Sequence, residues 1–249
     1  MAIRPVYDRI GASYVASRRP DTRIARQIDA ALGDAATVVN VRAGAGSYEP
    51  ERRDVTVVEP SEVMLAQRPA GAARAVKGSA EALPFADREF DAAMTVLSVH
   101  HWGDKRRGLA EMRRVSRGPV VIFTRVPESA PWWWLYHYFP ATEKLITCRS
   151  TPLSEYEAAL GSVRLVPVPI PHDCVDGFEG ACWRQPAGLL DPEVWGGMPA
   201  LRMIDDGSRR RGMRRLLEDL VSGEWERQFA DLLELEELDL GYRVLVAGG

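Results

Sequence analysis

The chain has 249 residues, 46% of them apolar, and a formal net charge of −3. That length and apolar content suit one large α/β domain with a sizeable core. The slight acidity gives no reason to expect nucleic acid as the main partner. No apolar run reaches the roughly 18 residues that span a bilayer, and the N-terminal stretch lacks an apolar secretory core. Cys148, Cys174 and Cys182, with His100, His101, His137 and His172, show no metal-ligand spacing. The cysteines read as reduced thiols of a cytoplasmic protein that binds no metal.

The elements follow in chain order. Residues 1–35 read as helical, with Asp21 capping TRIARQIDAALG and Gly33 stopping it. Residues 37–41 form a β-branched run, the mark of a strand buried on both faces. Further strands are expected at 55–58, 72–77, 90–99 and 119–124, with helices at 61–67 and 104–115 between them. This alternation predicts βαβ units and a doubly wound, mostly parallel α/β sheet. A sixth strand is expected at 163–170 and a seventh at 238–247. The predicted organisation is a core at 1–170 with N-terminal helices, a helical lid at 171–235, and a last strand at 236–249 that completes the sheet. The arginines at 209–215 lie in a helical pattern and read as a solvated face.

The stretch 38-VVNVRAGAGSYEP-50 carries the chemistry. A strand running into a glycine-rich turn lets backbone N–H groups approach a nucleotide closely. Gly44 and Gly46 supply the turn. Glu59, at the end of the next strand, stands where a carboxylate accepts from the ribose hydroxyls of an adenosine. The loop 78-GSAEALPFADREFD-91 follows the third strand, where it can bracket an adenine.

Together NVRAGAG, VVEPS, GSAEALPFADREFD, VLSVHHWGD and EMRRVSRGPVVIFT resemble the class I S-adenosylmethionine (SAM)-dependent methyltransferases, in the small-molecule branch called methyltransferase type 11. The resemblance implies a seven-stranded Rossmann-like fold and SAM as cofactor. It places Gly44 and Gly46 beneath the methionine part, Glu59 on the ribose, and Ser79, Ala80 and Glu81 along the adenine. Ser98, His100 and His101 would stand at the mouth beside the reacting methyl, and Tyr7, Tyr14 and Arg18 on a capping N-terminal helix. The implied activity is methyl transfer to a small molecule in natural-product biosynthesis.

Two positions depart from that pattern. Asn40 replaces an acidic residue and keeps hydrogen bonding. Arg42 replaces a glycine that lets the cofactor approach backbone. Three readings of Arg42 stand open. It turns away and pairs with an acid; it grips the cofactor carboxylate; or SAM use is lost, and the pocket serves cyclisation, elimination, hydrolysis or a non-catalytic partner role. In the last case the guanidinium receives another anion, so an anionic substrate is expected.

His100 and His101 are the candidate bases. On an extended chain only one of them faces the cleft. The run 131-PWWWLYHYFP-140, with Trp134 and Tyr138, lines a substrate pocket or forms helix core or a dimer surface, with another copy or a different protein. His172 and Trp183 belong to 171-PHDCVDGFEGACW-183, read as substrate-side lid lining. There His172 and Cys174 are neighbours unsuited to face one another as base and nucleophile.

Overall fold

The computed structural model describes residues 18–131 and 133–248. Helix α1 (Thr22–Ala31) starts where the Asp21 side chain accepts the Arg23 backbone N–H. Its Ile24 and Ile28, with Leu32 beyond, are fully buried on one stripe. Strands β1 (Thr37–Val41), β2 (Asp54–Glu59), β3 (Arg74–Lys77), β4 (Ala92–Val96) and β5 (Val120–Arg125) pair in parallel. Helix α2 (Glu62–Ala66), capped by Ser61, follows β2, and α3 (Lys105–Val115), capped by Asp104, follows β4.

The seven-stranded sheet runs in the order β3-β2-β1-β4-β5-β9-β6. Strand β9 (Tyr242–Ala247) is antiparallel to both β5 and β6 (Val163–Pro167). Alternate residues feed two cores, as the strand period of two requires. Val38, Val121 and Phe123 face α1 and the region after β6. Val39, Val120 and Ile122 face α3 and α6 (Leu153–Leu160). The doubly wound sheet expected from the sequence is therefore present, with its last strand antiparallel.

Three expected strands end differently. The strand expected at 90–99 stops at Val96, because Leu97 turns with φ 47° and Val99–His101 forms a 3-10 turn. The one expected at 163–170 divides into β6 and the two-residue β7 (Ile170–Pro171). The one expected at 238–247 divides into β8 (Glu237–Leu238) and β9, and β7 pairs with β8 outside the main sheet. Gly241 separates β8 from β9. Its φ is 82°, and a Cβ there would lie 2.6 Å from the Ala130 Cα.

Short helices α4 (Leu135–Tyr138) and α5 (Pro140–Arg149) follow β5. Residues 171–235 carry α7 (Pro192–Gly196), α8 (Pro199–Met203), α9 (Asp206–Ser222), α10 (Glu224–Gln228) and α11 (Ala230–Leu233). This cap has no separate core. Its Trp183, Leu201, Leu216 and Trp225 join Ile24 and Phe123 in one buried cluster. None of the described helices is long and apolar enough to cross a membrane.

The Gly241→Ala variant should lose about 2 kcal/mol or more, through both the left-handed backbone and the clash with Ala130. Urea unfolding with an unchanged slope would check this.

Candidate active site

The glycine loop keeps its turn without its first glycine. Arg42 takes φ 56°, a left-handed conformation natural to glycine, and its N–H bonds the Val58 carbonyl at 2.7 Å. Gly44 follows with φ 57°, and its N–H bonds Glu59 Oε2 at 3.0 Å. Glu59 Oε1 accepts the Ser61 N–H at 2.9 Å. A cavity of about 140 Å³ opens over this loop, lined by Arg18, Arg42, Gly44, Gly46, Glu59 and Ser98, among others. Arg42 is half-buried there and pairs with no carboxylate among the described residues. No acid among the described residues therefore supports the reading in which it turns away to form an ion pair.

A second cavity, about 110 Å³, lies against the first. Arg18, Leu97 and His101 line both. Leu97 stands in the left-handed region at the junction, the kind of strain that collects at functional sites. The second cavity mixes the apolar Leu145, Ile146, Phe178 and Met203 with Arg125, Arg149 and Glu179.

His100 and His101 both face this cavity. The expectation that only one would do so fails, because the chain there is a 3-10 turn rather than an extended strand. Their rings stack with centroids 3.9 Å apart. Arg149 Nη2 lies 3.1 Å from His101 Nδ1. Burial and neighbouring cations, Arg149 foremost, lower His100 to about 4. Burial, then His100 and Arg149, lower His101 to about 2. Both imidazoles are thus neutral at neutral pH. Burial pushes the Glu179 carboxyl above its usual range, and its Oε1 accepts the Ala200 N–H at 3.0 Å.

Asp176 ties three segments around these cavities. Its carboxylate accepts from Arg18 Nε at 2.6 Å and Nη2 at 3.1 Å, from the Tyr48 hydroxyl at 2.8 Å, and from the Gly177 N–H at 2.8 Å. The Asp176 side chain is fully buried and that of Arg18 nearly so.

Other sequence-predicted residues lie elsewhere. Asn40 is fully buried beneath the loop, its amide nitrogen and oxygen unpartnered among the described residues. Ala80 sits in the core with Trp102, and Glu81 Oε1 bonds the Gly103 N–H, so neither side chain lines a cavity. Ser79, half-buried, lines neither cavity and bridges Ala82. Trp134 and Trp183 are fully buried core, and Trp134 Nε1 donates to the Trp183 carbonyl. Tyr138 is held on Asp219, and His172 on the Glu236 carbonyl. These four therefore pack or brace the cap instead of lining the substrate side. Burial pushes the Cys174 thiol up to about 12, which removes it as a nucleophile. Tyr7 and Tyr14 lie outside the described residues.

Sequence reasoning missed Leu97, Arg125, Arg149, Asp176 and Glu179. The last two sit inside PHDCVDGFEGACW, the expected substrate-side segment, four and seven residues beyond the expected His172.

A methyltransferase domain model matches residues 34–122. No curated protein matches the sequence. Among solved structures, a candidate methyltransferase from an antibiotic biosynthesis pathway of Anabaena variabilis is 30% identical with a TM-score of 0.87, covering 94% of this chain and 99% of that one. A candidate sarcosine dimethylglycine methyltransferase of Galdieria sulphuraria shares the fold at 13% identity and TM-score 0.53, covering 90% and 85%. A possible histamine N-methyltransferase of Thermotoga maritima does so at 21% and 0.50, covering 66% and 80%. The glycine loop over Glu59, the sheet order and the full-length match to the Anabaena protein together make this chain a member of the SAM-dependent methyltransferase family.

Proposed function

We propose that this protein transfers a methyl group from SAM to a small molecule in specialised metabolism. One observation carries the reading: a glycine-loop cavity lined by Glu59, Arg18 and Arg42, sharing Arg18, Leu97 and His101 with a second cavity. This donor set fits a zwitterionic nucleoside. Glu59 would accept from ribose hydroxyls, and Arg42 with Arg18 would face the amino-acid carboxylate. The cofactor supplies an electrophilic methyl when bound. The pathway named for the Anabaena protein supports the small-molecule, biosynthetic part of this reading.

The chain's own groups then act by positioning. Leu97 and His101, at the junction, would hold the acceptor in line with the methyl. The cap over the second cavity would exclude water. His100 and His101, already neutral, orient rather than titrate between pH 5.5 and 8.

Calorimetric titration with S-adenosylhomocysteine tests the donor site. We expect a dissociation constant on the order of micromolar; no binding to demonstrably folded protein would contradict the proposal. In the Arg42→Gly variant, loss of the carboxylate contact should weaken that affinity by about tenfold. The same change relaxes a left-handed position and should raise stability by about 1 kcal/mol. Tighter binding would show Arg42 to be an obstacle rather than a ligand.

The lowered His100 pKa has a stability consequence with a definite sign. The folded state binds fewer protons than the unfolded one, so this contribution is fully present above pH ~6.5 and lost as pH falls through about 4. Denaturation midpoints across that window should fall less steeply in His100→Asn than in the parent protein.

A further inference from the structure

Two of the arginines lining the second cavity act on the Glu179 carboxyl from a distance, and each hydrogen-bonds only neutral partners among the described residues. Arg125 donates from Nε to the Leu240 carbonyl at 3.1 Å and from Nη2 to the Tyr136 hydroxyl at 3.2 Å. Arg149 donates to the Met203 sulfur at 3.5 Å and lies 3.1 Å from His101 Nδ1. Neither forms an ion pair with a carboxylate among the described residues. Glu179 is the one acid on the cavity wall among those residues, and its Oε1 is engaged by the Ala200 N–H. Arg42, with no carboxylate partner among the described residues, adds a further cation in the adjoining cavity. A guanidinium hydrogen-bonded only to neutral acceptors keeps its charge without a paired anion, and its remaining N–H groups can take a carboxylate.

Position narrows the choice. Arg149 touches His101, and His101 lines both cavities. A cation therefore stands where acceptor and donor would meet, while apolar Leu145, Ile146, Phe178 and Met203 line much of the rest, beside Thr124 and Glu179. The geometry points to an apolar carboxylic acid as occupant of the second cavity, with its carboxylate, held by Arg149 beside His101, as the methyl acceptor. For the reaction, this deepens and rests on the methyltransferase reading; for binding, it stands on the cavity alone.

The step balances without a base. A lone pair on one carboxylate oxygen forms the O–CH₃ bond as the S–CH₃ bond breaks. That bonding pair stays on sulfur, which becomes a neutral thioether, and the product is a neutral methyl ester. No proton is released, which agrees with a junction whose two histidines are weak bases. An ammonium would be repelled by Arg125 and Arg149, and an alcohol would need a base to lose its proton.

The test uses the full chain with octanoate and cinnamate as probes, and their primary amides and the corresponding alcohols as controls. Calorimetry is run with and without S-adenosylhomocysteine, and transfer is followed from methyl-labelled SAM. We expect both carboxylates to bind about tenfold or more tightly than their amides. Arg149→Gln should abolish that preference while leaving S-adenosylhomocysteine affinity unchanged, since Arg149 does not line the donor cavity. Transferred label should be released as methanol by alkali, as an ester requires. Arg125→Gln gives a second variant should the first fail to fold, and it should reduce the same preference. Equal binding of acid and amide, a preference that survives in both variants, or alkali-stable label would overturn the inference. Absence of S-adenosylhomocysteine binding would defeat the methyltransferase reading instead, and the carboxylate titration without it would still decide the acceptor.

Discussion

The buried Asp176 carboxylate is the interaction on which the cleft depends. It holds Arg18 from the chain before α1, Tyr48 from the end of the glycine loop, and its own cap segment at one point. Such a pair is weak evidence for net stability, since desolvation offsets much of the attraction. Its consequence is geometric. Arg18 is fixed where both cavities meet, and the cap is fixed over the sheet edge at which β1 and β4 end. Tyr48 extends the tie into the core, where its ring meets Phe123 edge-on.

Around that tie the cleft divides by charge. The donor side sets Glu59 against Arg42, and the acceptor side sets Arg125 and Arg149 against Glu179. Arg42 carries the sharpest local conflict between sequence and backbone. A non-glycine residue is held at φ 56° by its N–H bond to Val58 and by the Gly44 bond to Glu59. The loop shape has survived a substitution that its backbone disfavours. A half-buried guanidinium kept in that position fits a charge role better than a passive one.

The sheet was legible in the sequence because β-branched runs and capping residues act locally. Asp21 caps the helix at which it was read, and the helices expected from 61 and 104 begin one residue later, with Ser61 and Asp104 as their caps. The glycine loop and Glu59 were legible for the same reason: a strand, a turn and a strand end follow one another between Thr37 and Glu59. The mouth was not. Leu97 reverses the chain in a conformation that leucine disfavours, so no pattern announced that His100 and His101 would face one way. Arg125, Arg149, Asp176 and Glu179 gain their meaning from contacts made across the sheet and cap, which one-dimensional spacing does not encode. Of the readings open for the aromatic run, helix core is the one found: Trp134 and Tyr138 are buried, and their polar tips are satisfied by the Trp183 carbonyl and Asp219 within the packed cap.

The central claim is that the glycine-loop cavity accepts the cofactor with Arg42 as a ligand. A crystal structure of the protein grown with saturating S-adenosylhomocysteine tests it most directly. The account predicts ribose hydroxyls on Glu59, the amino-acid carboxylate on Arg42, and the thioether sulfur facing the second cavity past Leu97 and His101. A nucleoside bound elsewhere, or Arg42 swung out of the cavity to make room, would contradict it.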